Sequence, residues 1–266
     1  KKALVKISFC LKDGIASSPY RAPFGGWELN GRVTIKQADF FIDRLIADLK
    51  SKGIRKLEIK NPPMSYQPFA GKLFLQVAKK LDFRIYQETS SIISVDATLF
   101  EKKLVIAKRQ KLVKGEVRFS FHQENLTQLK KIYSFIEACR EERHQTLSMS
   151  FPQIRKTIVS FPHDYFLFSV KEGERLAAAA IIVRVSEKIV YTFYYAHARH
   201  YDKVSPVVFL IKNLYSFSRK GKYRMIDLGT SMVHGRINQP LLHFKKSIGG
   251  LSVPKYSFEK KMEKEL

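Results

Sequence analysis

Apolar residues recur at helical spacing early in the chain. Ala38, Phe41, Ile42, Leu45, Ile46 and Leu49 mark one face of a helix, and Gly53 stands where a left-handed cap would end it. A strand is predicted over 54–60 and is broken by Asn61-Pro62-Pro63. Phe69, Leu73, Phe74, Val77, Ala78 and Leu81 predict a second helix, followed by a β-rich run over 84–95. The segment 3–9, ahead of the first helix, is strand-like. The same order returns late in the chain. Ser205-Pro206 opens a helix through Phe209, Leu210, Leu214 and Phe217, Lys220-Gly221 closes it, and a strand over 223–228 leads to a turn, a helix and a last strand over 252–261. Between these stretches, 175–185 and 189–197 read as a hairpin about Ser186-Glu187-Lys188, with 165–170 as a third antiparallel strand. Two helical stripes precede them, one at Leu129, Ile132, Tyr133, Ile136 and Cys139, the other at Phe151, Ile154 and Ile158.

Laid side by side, Ser51-Lys52-Gly53-Ile54-Arg55-Lys56-Leu57-Glu58-Ile59 and Arg219-Lys220-Gly221-Lys222-Tyr223-Arg224-Met225-Ile226-Asp227 share a Lys-Gly-strand pattern, and similar elements follow each. The expectation is an α/β fold with a mixed sheet, built from two divergent copies of one αβαβ unit. The first copy is assigned to 1–100 and the second to 115–266. Lys102, Lys103, Lys108, Arg109, Lys111 and Lys114, interleaved with Leu104, Val105, Ile106, Leu112 and Val113, predict a basic amphipathic helix over 101–114 that links them. The chain opens on Lys1-Lys2 without Met and goes straight into strand pattern, so the first copy is expected to be incomplete at its start.

Composition narrows the partners. With 45% apolar and 12% aromatic residues in 266, the chain can bury substantial cores, which excludes a disordered or fibrous protein. Lys and Arg number 48 against 24 acidic residues, a net charge of +24, which calls for a polyanion: nucleic acid, an anionic membrane face or a phosphorylated substrate. Cys10 and Cys139 read as small buried hydrophobes in a reducing compartment, not as a disulfide or zinc framework. The longest apolar run, 176–183, falls short of the roughly 20 residues a membrane helix needs, and no signal-peptide pattern opens the chain, so a cytoplasmic location is expected. Phosphate loops, dinucleotide fingerprints, nucleophile elbows and H-E-x-x-H are all missing from the sequence. His197 and His200 are read as loop histidines without acidic or cysteine neighbours, and no metal is expected.

An antiparallel hairpin, a helix, a parallel strand, a helix and a last strand resemble the acyltransferase fold of the GNAT superfamily, and two such halves in tandem resemble the Fem-type aminoacyltransferases. Ser18-Pro19-Tyr20-Arg21-Ala22-Pro23-Phe24-Gly25-Gly26 is similar to the first-half loop of those proteins. Ile226-Asp227-Leu228-Gly229-Thr230-Ser231, Gly235, Asn238, Phe244-Lys245-Lys246 and Gly249-Gly250 are similar to their second-half signature. The resemblance implies two tandem GNAT-like domains and transfer of an amino acid from aminoacyl-tRNA to the peptide of a peptidoglycan precursor, or, in the wider superfamily, of acetyl from acetyl-CoA to an amine. No tightly bound cofactor is implied. Coenzyme A binders present [RQ]-x-x-G-x-[GA] before a helix, because glycines let backbone N–H groups close on the pyrophosphate. The matching stretch here, Arg199-His200-Tyr201-Asp202-Lys203-Val204, has neither small residue, places Asp202 where a phosphate would sit, and runs into Pro206, which lacks an N–H.

In the Fem-like context Lys245, beside Phe244, meets substrate, where an ammonium would neutralise phosphate or the oxyanion of acyl transfer; the plain alternative is a solvated lysine on an exposed helix face. Asp227 would orient or deprotonate the attacking amine, or else accept hydrogen bonds from the Gly229-Thr230-Ser231 turn. Tyr195 lies on the strand that faces the acyl group, or is a core tyrosine. Ser231, Arg236 and Asn238 join Phe244 as candidate substrate contacts, as do Arg21 and Trp27, which flank a Pro-Phe-Gly-Gly loop that would close over a nucleotide or sugar or serve only as a turn. Lys108, Arg109 and Lys111 would contact an RNA backbone or be a solvated face. The leading expectation is a transferase passing an aminoacyl or acyl group to an amine-bearing small molecule or peptidoglycan precursor, with tRNA as donor partner. The alternatives are an acetyl-CoA-dependent N-acetyltransferase and a noncatalytic RNA-binding module on the same fold.

Overall fold

Asp13 and Gly14 take left-handed φ angles of 52° and 75°, the pair of values a two-residue hairpin turn requires. They join β2 (Cys10–Lys12) to β3 (Ile15–Ser18); ahead of them, the strand pattern over 3–9 holds one short strand, β1 (Val5–Ile7). β1 pairs antiparallel with β4 (Trp27–Leu29). A capping box of Thr34 and Gln37 starts α1 (Ile35–Ser51), and Gly53, at φ 73°, turns the chain out of it. β5 (Lys56–Pro63) runs parallel to β3, then α2 (Pro68–Lys80) and β6 (Arg84–Ser94) follow.

The computed structural model describes residues 4–20, 22–233 and 235–262. The chain forms two units that are not cut once along the sequence: 1–90, 232–237 and 253–266 make the first, and 91–231 with 238–252 the second. This differs from the contiguous division at 100 and 115. The reason is the last strand, β14 (Leu251–Lys261), whose residues pair antiparallel with β5, Phe258 opposite Ile59 and Glu259 opposite Glu58. Phe258 thereby enters the first unit's core, its ring 4.4 Å from that of Phe74. The unit's sheet has the order β2-β3-β5-β14 and packs α1 and α2 through Ala38, Ile42, Phe74 and Val77.

The second unit begins at Ser91, ahead of the basic segment. The single helix expected over 101–114 is two, α3 (Phe100–Lys103) and α4 (Ile106–Arg118), because Leu104 is buried and the Val105 N–H leaves the helix for the Ser247 carbonyl. The segment is part of this unit's core, not a tether: Leu112 and Phe209 belong to one buried cluster. β7 (Ser120–Glu124), whose mixed polarity hides it in the sequence, pairs antiparallel with the strand over Tyr165–Glu172. α5 (Leu129–Glu141) and α6 (Phe151–Ser160) lead to β8 (Tyr165–Glu172), β9 (Arg175–Ser186) and β10 (Ile189–His197), an antiparallel meander. α7 (Pro206–Lys220) crosses to β11 (Met225–Thr230), parallel to β10. After the two-stranded ribbon β12 (Met232–Val233) and β13 (Arg236–Ile237), which groups with the first unit, α8 (Gln239–Ser247) completes the set. The sheet, in the order β11-β10-β9-β8-β7, is covered on one face by α7 and on the other by α5 and α6. Four alanines, Ala177 to Ala180, sit fully buried in β9, where small side chains let helices approach from both sides. Each half of the chain thus repeats one order along the sequence: an antiparallel strand pair, a helix, a parallel strand, a second helix and a strand.

Candidate active site

The parallel ladder between β10 and β11 is short. It runs from Ile189 opposite Met225 to Tyr191 opposite Asp227. Past that point a register shift between Thr192 and Tyr194 in the β9–β10 ladder re-aims the end of β10. At the fork the Thr192 hydroxyl donates to the Asp227 main-chain carbonyl at 3.1 Å. The opening holds a cavity of about 400 Å³, walled by Tyr191, Tyr195 and His197 of β10, Arg140 of α5 and Arg143 just past its end, Gly229 and Thr230 of β11, Asn238 at the N-cap of α8, and Phe244 and Lys245 within α8.

Lys245 is only 1% exposed, so the solvated-face reading of this lysine and the solvent-facing position it implied are wrong. Its Nζ donates to the carbonyls of Gly229 at 2.9 Å and Thr230 at 2.8 Å, and no salt bridge ties it to a carboxylate among the described residues. Burial pushes its pKa down to about 8, with Asp227 acting in the opposite sense and Arg140 in the same sense. An ammonium has three donors, and two carbonyls leave one for another acceptor. The glycines of the signature make this possible. Gly229 takes φ 75° with the Tyr191 ring 3.5 Å from where a Cβ would lie, and a Cβ on Gly250 would stand 2.6 Å from the Lys245 carbonyl. Gly250→Ala is therefore expected to cost about 1–3 kcal/mol by overpacking the last turn of α8. A denaturant titration of the two proteins checks this.

Asp227 is buried, and its Oδ1 accepts the Gly229 N–H at 2.7 Å. It holds the turn that presents the carbonyls to Lys245, and it is not on the cavity wall. Tyr195 is on the wall, and burial raises its pKa, which keeps the phenol protonated, so its hydroxyl can donate as well as accept. Asn238 caps α8 by accepting the Leu241 N–H at 3.0 Å, and its own N–H reaches the Ser231 carbonyl at 2.8 Å. Ser231 is fully buried, its hydroxyl without a partner among the described residues. Arg236 is exposed on β13 and off the cavity wall. Trp27 is packed inside the first unit's core, its ring 3.8 Å from that of Phe74, not set to close over a ligand. Arg21 lies outside the described residues.

The sequence reading missed two arginines. Arg140 follows Ile136 by four residues, so it continues the buried stripe of α5, a cation where an apolar side chain is expected. Its guanidinium donates to Gln145 at 2.6 Å and to the Tyr195 carbonyl at 3.1 Å, while its buried Nε has no partner among the described residues. Arg143 donates to the Cys139 carbonyl at 2.8 Å and lies 3.4 Å from Asp202. His197 does have an acidic neighbour: Asp202 Oδ1 is 2.7 Å from its Nε2, yet burial prevails and lowers the imidazole pKa. The basic segment also reaches the site. The Lys108 ammonium sits 4.9 Å from the centre of the Phe244 ring, and Lys111 donates to the Asp202 carbonyl at 3.1 Å. Arg109 instead donates to the Glu101 carbonyl at 3.1 Å. The loop expected to meet a pyrophosphate spends its N–H groups on itself: Tyr201 on Ala198, Asp202 on Arg199, and Val204 and Ser205 both on Tyr201.

No family model matches the sequence, and no curated protein does. Solved structures match the fold. FemX superposes with a TM-score of 0.70 at 13% identity over 97% of this chain and 88% of its own. The C-terminal domain of a protein assigned as a lysylphosphatidylglycerol synthetase, from Agrobacterium fabrum, gives 0.64 at 15% over 97% and 82%. A GCN5-related N-acetyltransferase from Sphaerobacter thermophilus gives 0.53 at 7% over 98% and 77%. The fold is the GNAT and Fem-type fold. At these identities the likeness is one of fold.

Proposed function

We propose that the second unit is an acyltransferase that moves an aminoacyl group from aminoacyl-tRNA to an amine. The observation that carries this reading is the Lys245 ammonium, buried at the fork of β10 and β11 on two carbonyls with one donor to spare. In the reaction the amine nitrogen attacks the ester carbonyl carbon, a C–N bond forms, and the bond to the ribose oxygen breaks. The free N–H of Lys245 would stabilise the negative charge that develops on the carbonyl oxygen. The proton shed by the nitrogen passes to the departing ribose oxygen, and Tyr195, kept protonated by burial, is the wall residue suited to relay it. Asp227 acts as a positioning residue through the Gly229 turn. A cavity of about 400 Å³ suits the aminoacyl group and the nucleophile, while Arg143, Lys108 and Lys111 offer positive charge to the polyanionic remainder of the donor. The name of the Agrobacterium protein, a lysylated lipid synthetase, supports an aminoacyl cargo, and a peptidoglycan precursor remains the acceptor implied by the Fem-like signature.

Acetyl-CoA is disfavoured as donor by the self-bonded N–H groups of 198–205 and by the Asp202 carboxylate there. Calorimetry is expected to give a dissociation constant for acetyl-CoA no tighter than about 1 mM, some 4 kcal/mol of affinity. Micromolar binding would instead make this an acetyltransferase. The direct test is the loss of aminoacyl-tRNA in the presence of an amine. It should exceed spontaneous hydrolysis and yield an amide; equal loss with and without protein, while tRNA still binds, would leave a noncatalytic RNA-binding module.

A further inference from the structure

Helix α4 has two opposed faces. On the inner one Leu112 and Gly115 are buried, and the hydrogen of Gly115 stands where a Cβ would come within 3.4 Å of the Phe209 Cβ. At about 100° per residue, the opposite side carries Val113, Ile106 and Val117 within an arc of roughly 40°. These three aliphatic side chains are 58%, 73% and 89% exposed. Arg109 flanks the stripe on one side and Lys114 on the other, both exposed. Ahead of the helix, Leu99, Lys102 and Val105 are exposed as well. The helix carries one acidic residue, Glu116, and it is bridged to Lys212 at 3.3 Å.

Branched aliphatic side chains at the centre of an exposed face gain nothing from the protein's own core. An apolar stripe between cationic flanks matches the boundary between acyl chains and anionic headgroups. RNA would satisfy Arg109 and Lys114 but offers the aliphatic stripe no apolar surface, and a second copy of a chain with net charge +24 is repelled by it. We propose that this face of α4 docks on an anionic lipid bilayer, with Ile106, Val113 and Val117 entering the headgroup–acyl boundary and Arg109 and Lys114 meeting lipid phosphates. This docking stands apart from the transfer reaction and does not depend on it.

The test uses the full chain and vesicles, either of phosphatidylcholine alone or with phosphatidylglycerol added, at physiological salt, with sedimentation as the readout. Binding to the anionic vesicles is expected to exceed binding to the neutral ones at least tenfold. The triple variant Ile106→Ser, Val113→Ser, Val117→Ser should lose at least tenfold in affinity, with an unchanged melting curve and unchanged transfer from aminoacyl-tRNA to a soluble amine. The pair Arg109→Gln, Lys114→Gln should also lose affinity, and it reads out the same surface if the triple variant folds poorly. No binding to anionic vesicles overturns the proposal, as does equal binding by the wild type and the triple serine variant. A loss of affinity for a tRNA probe in the triple variant, with vesicle binding intact, assigns the face to RNA and overturns it too. Failure of the transfer assay with vesicle binding intact removes the acyltransferase reading and leaves the docking surface in place.

Discussion

Lys245→Met is expected to lower the turnover of aminoacyl transfer by a factor of about 10² to 10³, the loss typical of removing one preorganised donor from an oxyanion site. Methionine keeps most of the volume, so no large cavity opens beneath α8. The carbonyls of Gly229 and Thr230 lose their donor, at about 1–3 kcal/mol for each left dry. Against this, the variant no longer has to bury an ammonium that lacks a carboxylate partner, so the two changes offset and the net effect on stability is small. Single-turnover kinetics beside thermal melts separate the roles. A fall in kcat with KM unchanged assigns Lys245 to the transition state, whereas a rise in KM alone assigns it to donor phosphate. Unchanged kinetics in a folded variant would reduce Lys245 to a tie between α8 and the β11 turn, and the functional reading would lose its main support.

Periodicity in the sequence was enough to place α1, α2, α5 and α7, because each buries one continuous stripe against a sheet. Ala38, Ile42 and Leu49 of α1, and Ile132, Ile136 and Cys139 of α5, are buried as their spacing requires. It was not enough for α3 and α4, where the break at Leu104 and Val105 depends on a hydrogen bond to Ser247, more than a hundred residues away in sequence. The partner of β14 was equally out of reach, since nothing local in 251–261 distinguishes pairing with β5 from pairing within its own half. The site shows the same divide. The Phe244-Lys245 pair and the glycines of the 226–250 segment pointed to the right end of the sheet, but a lysine between Phe244 and Lys246 on a short helix reads as solvated. Only the turn at Gly229 and Thr230, folded back under α8, reveals that its ammonium is buried. Arg140 carried a signal that went unused: a cation in register with the apolar stripe of α5 is either an error of periodicity or a buried guanidinium with a task.

The buried ammonium also ties stability to pH in a direction opposite to activity. Lys245 has a folded-state pKa of about 8, below the ordinary value of 10.5, because burial disfavours its charged form. Below about pH 8 it is protonated in both folded and unfolded chains, and the desolvation cost is carried in full. Between about 8 and 10.5 the unfolded chain binds a proton that the folded chain has released, so folding stability rises with pH over this window. That interval corresponds to about 3 kcal/mol, gained by the wild type relative to Lys245→Met as pH climbs through it. Taking the difference between the two proteins cancels the titration of the other lysines and of the tyrosines on the cavity wall. Transfer should move the other way. If the ammonium is the acting form, turnover falls as pH rises through about 8 even as the fold tightens, once the titration of the attacking amine is removed by comparing two amines of different basicity. Parallel stability curves for wild type and Lys245→Met across this window would show that Lys245 keeps its charge in the folded state, and any fall in turnover near pH 8 would then belong to another group.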